Sequence, residues 1–132
     1  MRYLCDTNIL LEILHDRTHA QSCVDFLNLY CGETLMTDFS LFSLFLKAEH
    51  YGIESITHGM IIDCFEEGMR VIATKPSTAL NILITKKLSG LDYDDHLQYS
   101  AAKENNLTLI TLDSDFFNAQ LDIPVQRPNG VG

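Results

Sequence analysis

The sequence predicts an α/β fold with a mainly parallel central sheet of four to five strands, and three observations lead to this class. Short apolar segments recur along the chain, segments with helical spacing of apolar residues lie between them, and glycine, proline or capping residues separate the two kinds. Strands that alternate with helices pair in parallel through crossover connections. The length of 132 residues and the 46% hydrophobic content predict one domain, residues 1–132, with its own core.

In the first half of the chain, two strands and four helices are predicted. Gly32 separates the second helix from the second strand, and Gly52 ends the third helix. Asp6 or Thr7 is the predicted cap of the first helix, whereas Asp38 or Ser40 is the predicted cap of the third. The strands cover residues 2–5 and 34–37, and the helices cover residues 9–14, 20–30, 41–50 and 57–67.

The second half continues the alternation of strands and helices. Pro76 opens one predicted helix, Gly90 separates it from the next, and Pro124 interrupts a strand that is therefore assigned to the edge of the sheet. The predicted strands cover residues 70–72, 108–111 and 123–126, and the helices cover residues 77–88, 93–105 and 115–120.

Composition limits the functions that the chain can have. No apolar run approaches the ~20 residues of a membrane-spanning helix, and Asp6 comes too early for a signal peptide. Four cysteines without a CxxC pair predict buried free thiols, which fits a reducing compartment and a cytoplasmic location. The net charge of −9 would repel a phosphate backbone unless bound divalent cations invert the local sign; alternatively, the surface acids serve only solubility.

Carboxylates follow the predicted strands where a parallel α/β sheet binds ligands. Asp6 comes directly after the first strand, Asp113 and Asp115 follow the strand over residues 108–111, and Asp94 and Asp95 begin the preceding helix. Carboxylates gathered in one crevice must be protonated or bind a cation. Mg²⁺ and Mn²⁺ prefer such oxygen ligands, and phosphodiester hydrolysis is the chemistry that they support. Taken singly, Asp6, Asp94 and Asp115 could instead be helix N-caps, and Asp113 a turn residue.

Three segments together resemble the PIN-domain family. They are LCDTNIL at residues 4–10, DDHLQYSAA at residues 94–102 and LITLDSDF at residues 109–116, in the family's order and at its separations. The resemblance implies a three-layer α/β/α sandwich, dependence on Mg²⁺ or Mn²⁺, and cleavage of single-stranded RNA. VapC-type toxins of toxin–antitoxin pairs are a branch of this family, which implies a homodimer and an antitoxin partner.

By motif position, the resemblance assigns the catalytic metal ligands to Asp6, Asp95 and Asp113. Asn8 matches the polar residue beside the first acid, and Thr111 matches the hydroxyl before the last acid. Asp94 and Asp115 are supporting acids beside these ligands.

One acidic residue of the PIN pattern is missing. The family's Glu on the helix after the second strand falls on Ser43, which supplies no carboxylate, and Glu49 faces another side of that helix. Asp38, near the strand end, is a candidate substitute. The loss favours one alternative to the ribonuclease, a catalytically weakened PIN-like protein that binds RNA or a protein. A further alternative is a phosphoacceptor of the receiver type, which also clusters aspartates at strand ends, but this chain lacks the lysine expected after Thr111.

Overall fold

Five strands of the described chain form one parallel sheet. The structure is a computed structural model that describes residues 1–131, with the backbone alone for residues 88 and 89. The strands are β1 (Tyr3–Cys5), β2 (Thr34–Thr37), β3 (Arg70–Ile72), β4 (Thr108–Ile110) and β5 (Val125–Gln126). They lie in the order β3-β2-β1-β4-β5, and every neighbouring pair is parallel. The predicted parallel sheet is therefore confirmed.

Seven α-helices of the described chain surround the sheet. They are α1 (Thr7–Leu14), α2 (Ala20–Tyr30), α3 (Asp38–Tyr51), α4 (Glu54–Glu66), α5 (Pro76–Ser89), α6 (Tyr93–Glu104) and α7 (Ser114–Asn118). Two 3₁₀ helices cover Cys31–Glu33 and Pro128–Gly130. In accordance with the prediction, Pro76 is the first residue of α5, and Gly52 and Gly90 follow α3 and α5 in the left-handed conformation, with φ of 68° and 74°.

The helices cover both faces of the sheet. Tyr3 and Cys5 pack with Phe26 of α2 on one face, because side chains alternate along a strand. Leu4, between them, packs with Ala102 of α6 and Phe116 of α7 on the other face. These two packed layers confirm the α/β/α sandwich. The four cysteines are free and buried, also as predicted. No helix among residues 1–131 is long and apolar enough to span a membrane.

The start of α3 differs from the prediction. The helix begins at Asp38 rather than at residue 41, and its cap is Thr37, whose hydroxyl accepts a hydrogen bond of 3.0 Å from the Ser40 amide. Threonine at the last position of a strand can serve as an N-cap because its extended backbone and its hydroxyl suit both roles. The next helix, α4, also begins earlier than predicted, at Glu54 instead of residue 57.

The strand order has one switch point, between β1 and β4. From β1 the chain builds β2 and β3 on one side, and later adds β4 and β5 on the other. Such a switch point opens a crevice beyond the carboxyl ends of the two strands, where α/β proteins bind ligands. Asp6 directly follows β1, and Asp113 lies three residues beyond the end of β4.

Candidate metal centre

Asp6 and Thr111 lie side by side at the switch point. Cys5 pairs with Ile110 across β1 and β4, and the Asp6 amide donates a hydrogen bond of 3.0 Å to the Ile110 carbonyl. The Thr111 hydroxyl donates a hydrogen bond of 2.8 Å to Asp6 Oδ2. Sheet register therefore fixes the first acid against a buried hydroxyl.

The surroundings of the Asp6 carboxyl group disfavour its ionised form. Only 7% of the residue is exposed, and this burial raises the pKa of Asp6 to about 6. Hydrogen bonds from the Thr111 hydroxyl and the Thr7 amide lower the pKa in part, whereas the charges of Asp113 and Asp94 raise it further. A positive charge nearby would therefore stabilise the ionised form of Asp6.

The Thr111 hydroxyl connects the two strand ends. It accepts a hydrogen bond of 3.0 Å from the Asp113 amide and donates to Asp6. The Asn8 side chain reaches the same region: its Nδ2 lies 3.5 Å from Thr111 Oγ1, and its Oδ1 accepts from the Leu112 amide at 3.4 Å. The structure therefore places Asn8 and Thr111 where they orient Asp6 and Asp113 relative to each other.

Asp95 is the shared member of two carboxylate groups. One oxygen each from Asp95, Asp113 and Asp115 lie within 4.8 Å of one another, and the same holds for Asp92, Asp94 and Asp95. Asp6 belongs to neither group, although its charge acts on Asp95 and the charge of Asp113 acts on it. We call Asp6, Asp94, Asp95, Asp113 and Asp115 the carboxylate cluster.

Electrostatics in the carboxylate cluster favour a bound cation. Burial first, and then the charges of Asp94, Asp113, Asp6 and Asp92, raise the pKa of Asp95 to about 7. The charged groups that raise this pKa are all carboxylates, so the cluster repels itself at neutral pH. Several carboxylate oxygens within 4.8 Å are the donor set that a hard divalent cation such as Mg²⁺ or Mn²⁺ takes. The residues present therefore fit such an ion.

Helix capping accounts for only Asp113 among these acids. Asp6 and Asp92 occupy the N-cap positions of α1 and α6, yet neither side chain makes a capping hydrogen bond. Asp113 does cap α7, because its Oδ1 accepts from the Asp115 amide at 2.9 Å. A cap uses one of its oxygens and leaves the other free for the cluster. Asp94 and Asp115 lie inside the first turns of α6 and α7 instead of at the caps.

The sequence matches the PIN domain family over residues 3–120. The chain belongs to the PIN-domain family. Comparison with curated protein sequences gives no match. PIN domains are generally nucleases that use divalent metal ions, and that general activity agrees with the carboxylate cluster.

Solved structures of similar shape include a toxin–antitoxin complex. A toxin–antitoxin complex from Klebsiella pneumoniae has a TM-score of 0.73 at 20% identity, covering 98% of this chain and 99% of that chain. VapBC2 from Rickettsia felis, bound to a DNA fragment from its promoter, has 0.73 at 19%, covering 96% and 98%. FitAcB from Neisseria gonorrhoeae has 0.72 at 22%, covering 98% and 99%. At these identities the likeness establishes the PIN fold.

In this PIN domain, the Asp38 carboxylate lies outside both carboxylate groups. Asp38 Oδ1 accepts from the Phe39 amide at 2.8 Å and the Thr74 hydroxyl at 2.6 Å, and Oδ2 accepts from the Thr74 amide at 3.1 Å. Burial opposes ionisation, but these hydrogen bonds outweigh it and lower the pKa of Asp38. Both oxygens are engaged, and Asp38 belongs to neither carboxylate group. Ser43 lies one turn further along α3 and is half-buried.

A buried polar network beneath the PIN cluster escaped the sequence interpretation. The Thr7 hydroxyl donates a hydrogen bond of 2.9 Å to Ser40 Oγ, and Gln98 Nε2 donates to the same oxygen. The three residues join α1, α3 and α6, and Gln98 Oε1 is buried without a partner. Two signals were available, because Thr7 follows Asp6 and Gln98 lies one helical turn after Asp95.

His96 follows Asp95 on α6 and is buried, with 5% of the residue exposed. Its Nδ1 lies 3.2 Å from Ser100 Oγ, and its ring meets the Tyr99 ring edge-on, so both contacts lie within α6. Burial lowers the pKa of His96, which favours the neutral imidazole.

Proposed function

We propose that this PIN protein is a metal-dependent endoribonuclease that cleaves single-stranded RNA, with Mg²⁺ or Mn²⁺ held by Asp6, Asp95 and Asp113. The observation that carries the proposal is the carboxylate cluster at the β1/β4 switch point, in which burial and mutual repulsion raise the pKa values of Asp6 and Asp95 to about 6 and 7. PIN membership adds that such sites are generally nucleolytic.

The proposed roles follow from the contacts of each side chain. Asp95 and Asp113 supply ligand oxygens, and Asp94 and Asp115 add negative charge at the rim. Thr111 and Asn8 keep Asp6 and the Asp113 backbone in register. A bound divalent ion would supply positive charge for the scissile phosphate and an activated water. The positive charge of the ion would also offset, at the site, the net charge of −9, which otherwise repels RNA.

We further propose that the protein is the cytoplasmic toxin of a toxin–antitoxin pair, formed by one domain over residues 1–132. The support is that similar solved structures include a toxin–antitoxin complex from Klebsiella pneumoniae, VapBC2 from Rickettsia felis and FitAcB from Neisseria gonorrhoeae. An antitoxin partner and a homodimer follow from this assignment.

An exposed apolar surface supports the homodimer. Asp38, the first residue of α3, accepts hydrogen bonds from Thr74, which lies just before α5. Both helices expose large apolar side chains, and large exposed apolar surfaces often mark protein interfaces. We call this surface the α3/α5 face; its residues are Phe42, Phe45, Leu46, Leu80, Leu83 and Ile84.

Sedimentation tests the dimer. The wild-type protein is expected to sediment as a dimer at micromolar concentration, and Leu83→Asp is expected to sediment as a monomer because a charge enters the interface. Leu29→Asp is the matched control, since Leu29 is equally exposed but lies on α2, outside the α3/α5 face. A monomeric wild type, or equal effects of both substitutions, would contradict this interface.

The missing Glu supports a second candidate function. Ser43 supplies no carboxylate, and Asp38 is bonded to Thr74. A site with one ligand fewer binds its ion more weakly, which favours a PIN-like protein that acts by binding RNA or a protein.

One experiment separates these candidates: single-turnover digestion of a mixed RNA pool with Mn²⁺, using wild type, Ser43→Glu and Asp113→Asn. We expect slow cleavage by wild type, faster cleavage by Ser43→Glu because a fourth carboxylate joins the three proposed metal ligands, and at least about 100-fold slower cleavage by Asp113→Asn. Cleavage that survives in Asp113→Asn indicates a contaminant. RNA binding without cleavage by wild type and Ser43→Glu favours the binding protein.

A further inference from the structure

Two cysteines far from the carboxylate cluster share one cavity. Cys31 begins the 3₁₀ helix after α2, and Cys64 lies on α4, 33 residues further along the chain. The Cys31 thiol donates a hydrogen bond of 3.4 Å to the Cys64 carbonyl oxygen, and each thiol shifts the pKa of the other. Both residues line a cavity of about 550 Å³ beside α2 and α4. We call it the thiol cavity.

The backbone holds this cysteine pair together. A Cβ atom on Gly68 would lie 3.0 Å from the Gly32 Cα atom, and Gly68 has a φ of +106°. Glycine is thus required where the turn after α4 passes the 3₁₀ helix. The Met69 amide donates to the Cys64 carbonyl at 3.0 Å. The Cys31 thiol donates to the same carbonyl at 3.4 Å, so the backbone of α4 and the start of the 3₁₀ helix are held in contact at the two cysteines.

The two thiols are chemically unequal. The hydrogen bond from Cys64 and, more weakly, the Met69 amide lower the pKa of Cys31, although burial opposes them. The same hydrogen bond, with burial, raises the pKa of Cys64. The pair ionises on Cys31 first while Cys64 keeps its proton, which is the division between an attacking and a resolving cysteine.

Cys5 and Cys23 form a natural comparison within the same chain. They also share a core cluster and are 1% and 0% exposed. Burial raises the pKa of both, that of Cys23 to about 11, and neither lines the thiol cavity. Reduced thiols of this kind are inert.

We propose that Cys31 and Cys64 are an oxidation site, which a small neutral hydroperoxide converts into an intramolecular disulfide. The Cys31 thiolate attacks one oxygen of hydrogen peroxide, which breaks the O–O bond, leaves a sulfenic acid on Cys31 and releases hydroxide. The Cys64 sulfur then attacks the Cys31 sulfur, and the Cys64 proton leaves with the sulfenic hydroxyl group as water. Two thiols are oxidised to one disulfide, and one peroxide is reduced to two molecules of water.

Charge at the thiol cavity determines which oxidants can enter. Asp63, Glu66 and Glu67 line it together with Cys31 and Cys64. These carboxylates repel an anionic oxidant such as glutathione disulfide, whereas hydrogen peroxide is neutral and small. Peroxide is therefore expected to oxidise the pair faster than glutathione disulfide at equal concentration.

The test is peptide mapping of the full folded chain after brief exposure to each oxidant, quenching and alkylation under denaturing conditions. Peroxide should remove two of the four alkylatable thiols and join the Cys31 and Cys64 peptides, with a mass loss of about 2 Da. Cys23→Ser should behave as wild type. Cys64→Ser should leave Cys31 as a sulfenic acid that a dimedone probe labels, and Cys31→Ser should form no such link.

Two results would overturn the proposal, and both use the wild-type chain alone. The first is a Cys5–Cys23 link that forms as fast as the Cys31–Cys64 link in the folded protein. The second is alkylation of all four cysteines after peroxide treatment, while the urea-unfolded chain oxidises under the same conditions. Equal rates with glutathione disulfide would overturn the choice of oxidant.

Discussion

Carboxylates follow neighbouring strands at the same edge of the sheet, yet their surroundings are opposite. Asp38, after β2, has hydrogen-bond donors on both oxygens, and its pKa is lowered. At Asp6 and Asp95, in contrast, burial and the charges of nearby carboxylates raise the pKa values to about 6 and 7. A position at a strand end therefore does not by itself make a metal ligand. The hydrogen-bond donors around a carboxylate decide whether the protein itself stabilises the negative charge or whether a cation is needed to do so.

The largest expected difference between the two regions is in pH dependence. In chelator-treated protein, Asp6 has a folded pKa of about 6, above the unfolded value of about 3.9. Its contribution to stability is full below about pH 4 and is lost as the pH rises through the folded pKa, on the order of 3 kcal/mol. Urea unfolding between pH 5 and 8 should show this loss.

Asp38 should have the opposite sign. Its folded pKa is lowered, so its contribution is present above the unfolded value and is lost as the pH falls through the folded value. Asp38→Asn should leave the decline between pH 5 and 8 unchanged, and Asp6→Asn should reduce it while the decline due to Asp95 remains. A decline that persists in Asp6→Asn at full size would assign it to other groups.

The second prediction concerns Thr111, whose side chain donates a hydrogen bond to Asp6. Thr111→Val removes the hydroxyl that lies 2.8 Å from the Asp6 carboxylate, and a hydrogen bond to a charged group contributes roughly 2 kcal/mol. We expect about that loss of unfolding free energy at pH 8 without metal, and a smaller loss at pH 5, where Asp6 is mostly protonated. Thr111→Ser, which keeps the hydroxyl, is the control. Equal losses of unfolding free energy at both pH values would mean that Thr111 stabilises the protein by packing and not by donating a hydrogen bond to Asp6.

The third prediction concerns metal binding. Mn²⁺ at ten times its dissociation constant should stabilise the native state by about 1.4 kcal/mol, which corresponds to a rise in Tm of roughly 3–8 °C. Asp95→Asn should abolish the rise, because Asp95 is common to both carboxylate groups. Asp38→Asn should keep it. Differential scanning fluorimetry with and without Mn²⁺ measures all three, and a rise retained by Asp95→Asn would move the metal elsewhere.

The smallest expected effect is at Asp38. Asp38→Asn keeps one acceptor oxygen but removes the charge, and it should cost about 1 kcal/mol in urea unfolding through weaker bonds to Thr74. Asp25→Asn is the control, since Asp25 is exposed and accepts a hydrogen bond of 2.8 Å from Gln21 on the same helix. No difference between the two variants would show that the Asp38–Thr74 contact contributes nothing to stability.

The sequence predicted the fold well where local patterns decide it. The strand over residues 34–37 and the helix over residues 20–30 agree with the structure to the residue, because apolar spacing and glycine breaks mark them. The start of α3 was wrong because Thr37 serves strand and cap at once, a dual role that no local pattern reveals.

The site was harder to predict than the fold. Motif order brought attention to Asp6, Asp95 and Asp113, but it could not show that Asp115 lies within 4.8 Å of Asp95 and Asp113 while Asp6 stands beside that group. Nor could it show that Thr74 engages Asp38, 36 residues away. Such long-range contacts depend on how the elements pack, and single-sequence patterns contain no information on packing.

The pairing of β1 with β4 has a consequence for synthesis on the ribosome. Tyr3 pairs with Thr108, and Asp6 receives its hydrogen bond from Thr111, 105 residues further along the chain. A nascent chain that has emerged only as far as α5 has Asp6 without its hydroxyl donor and without Asp95 or Asp113. Chains that end early, through stalling or a damaged message, therefore cannot assemble the carboxylate cluster.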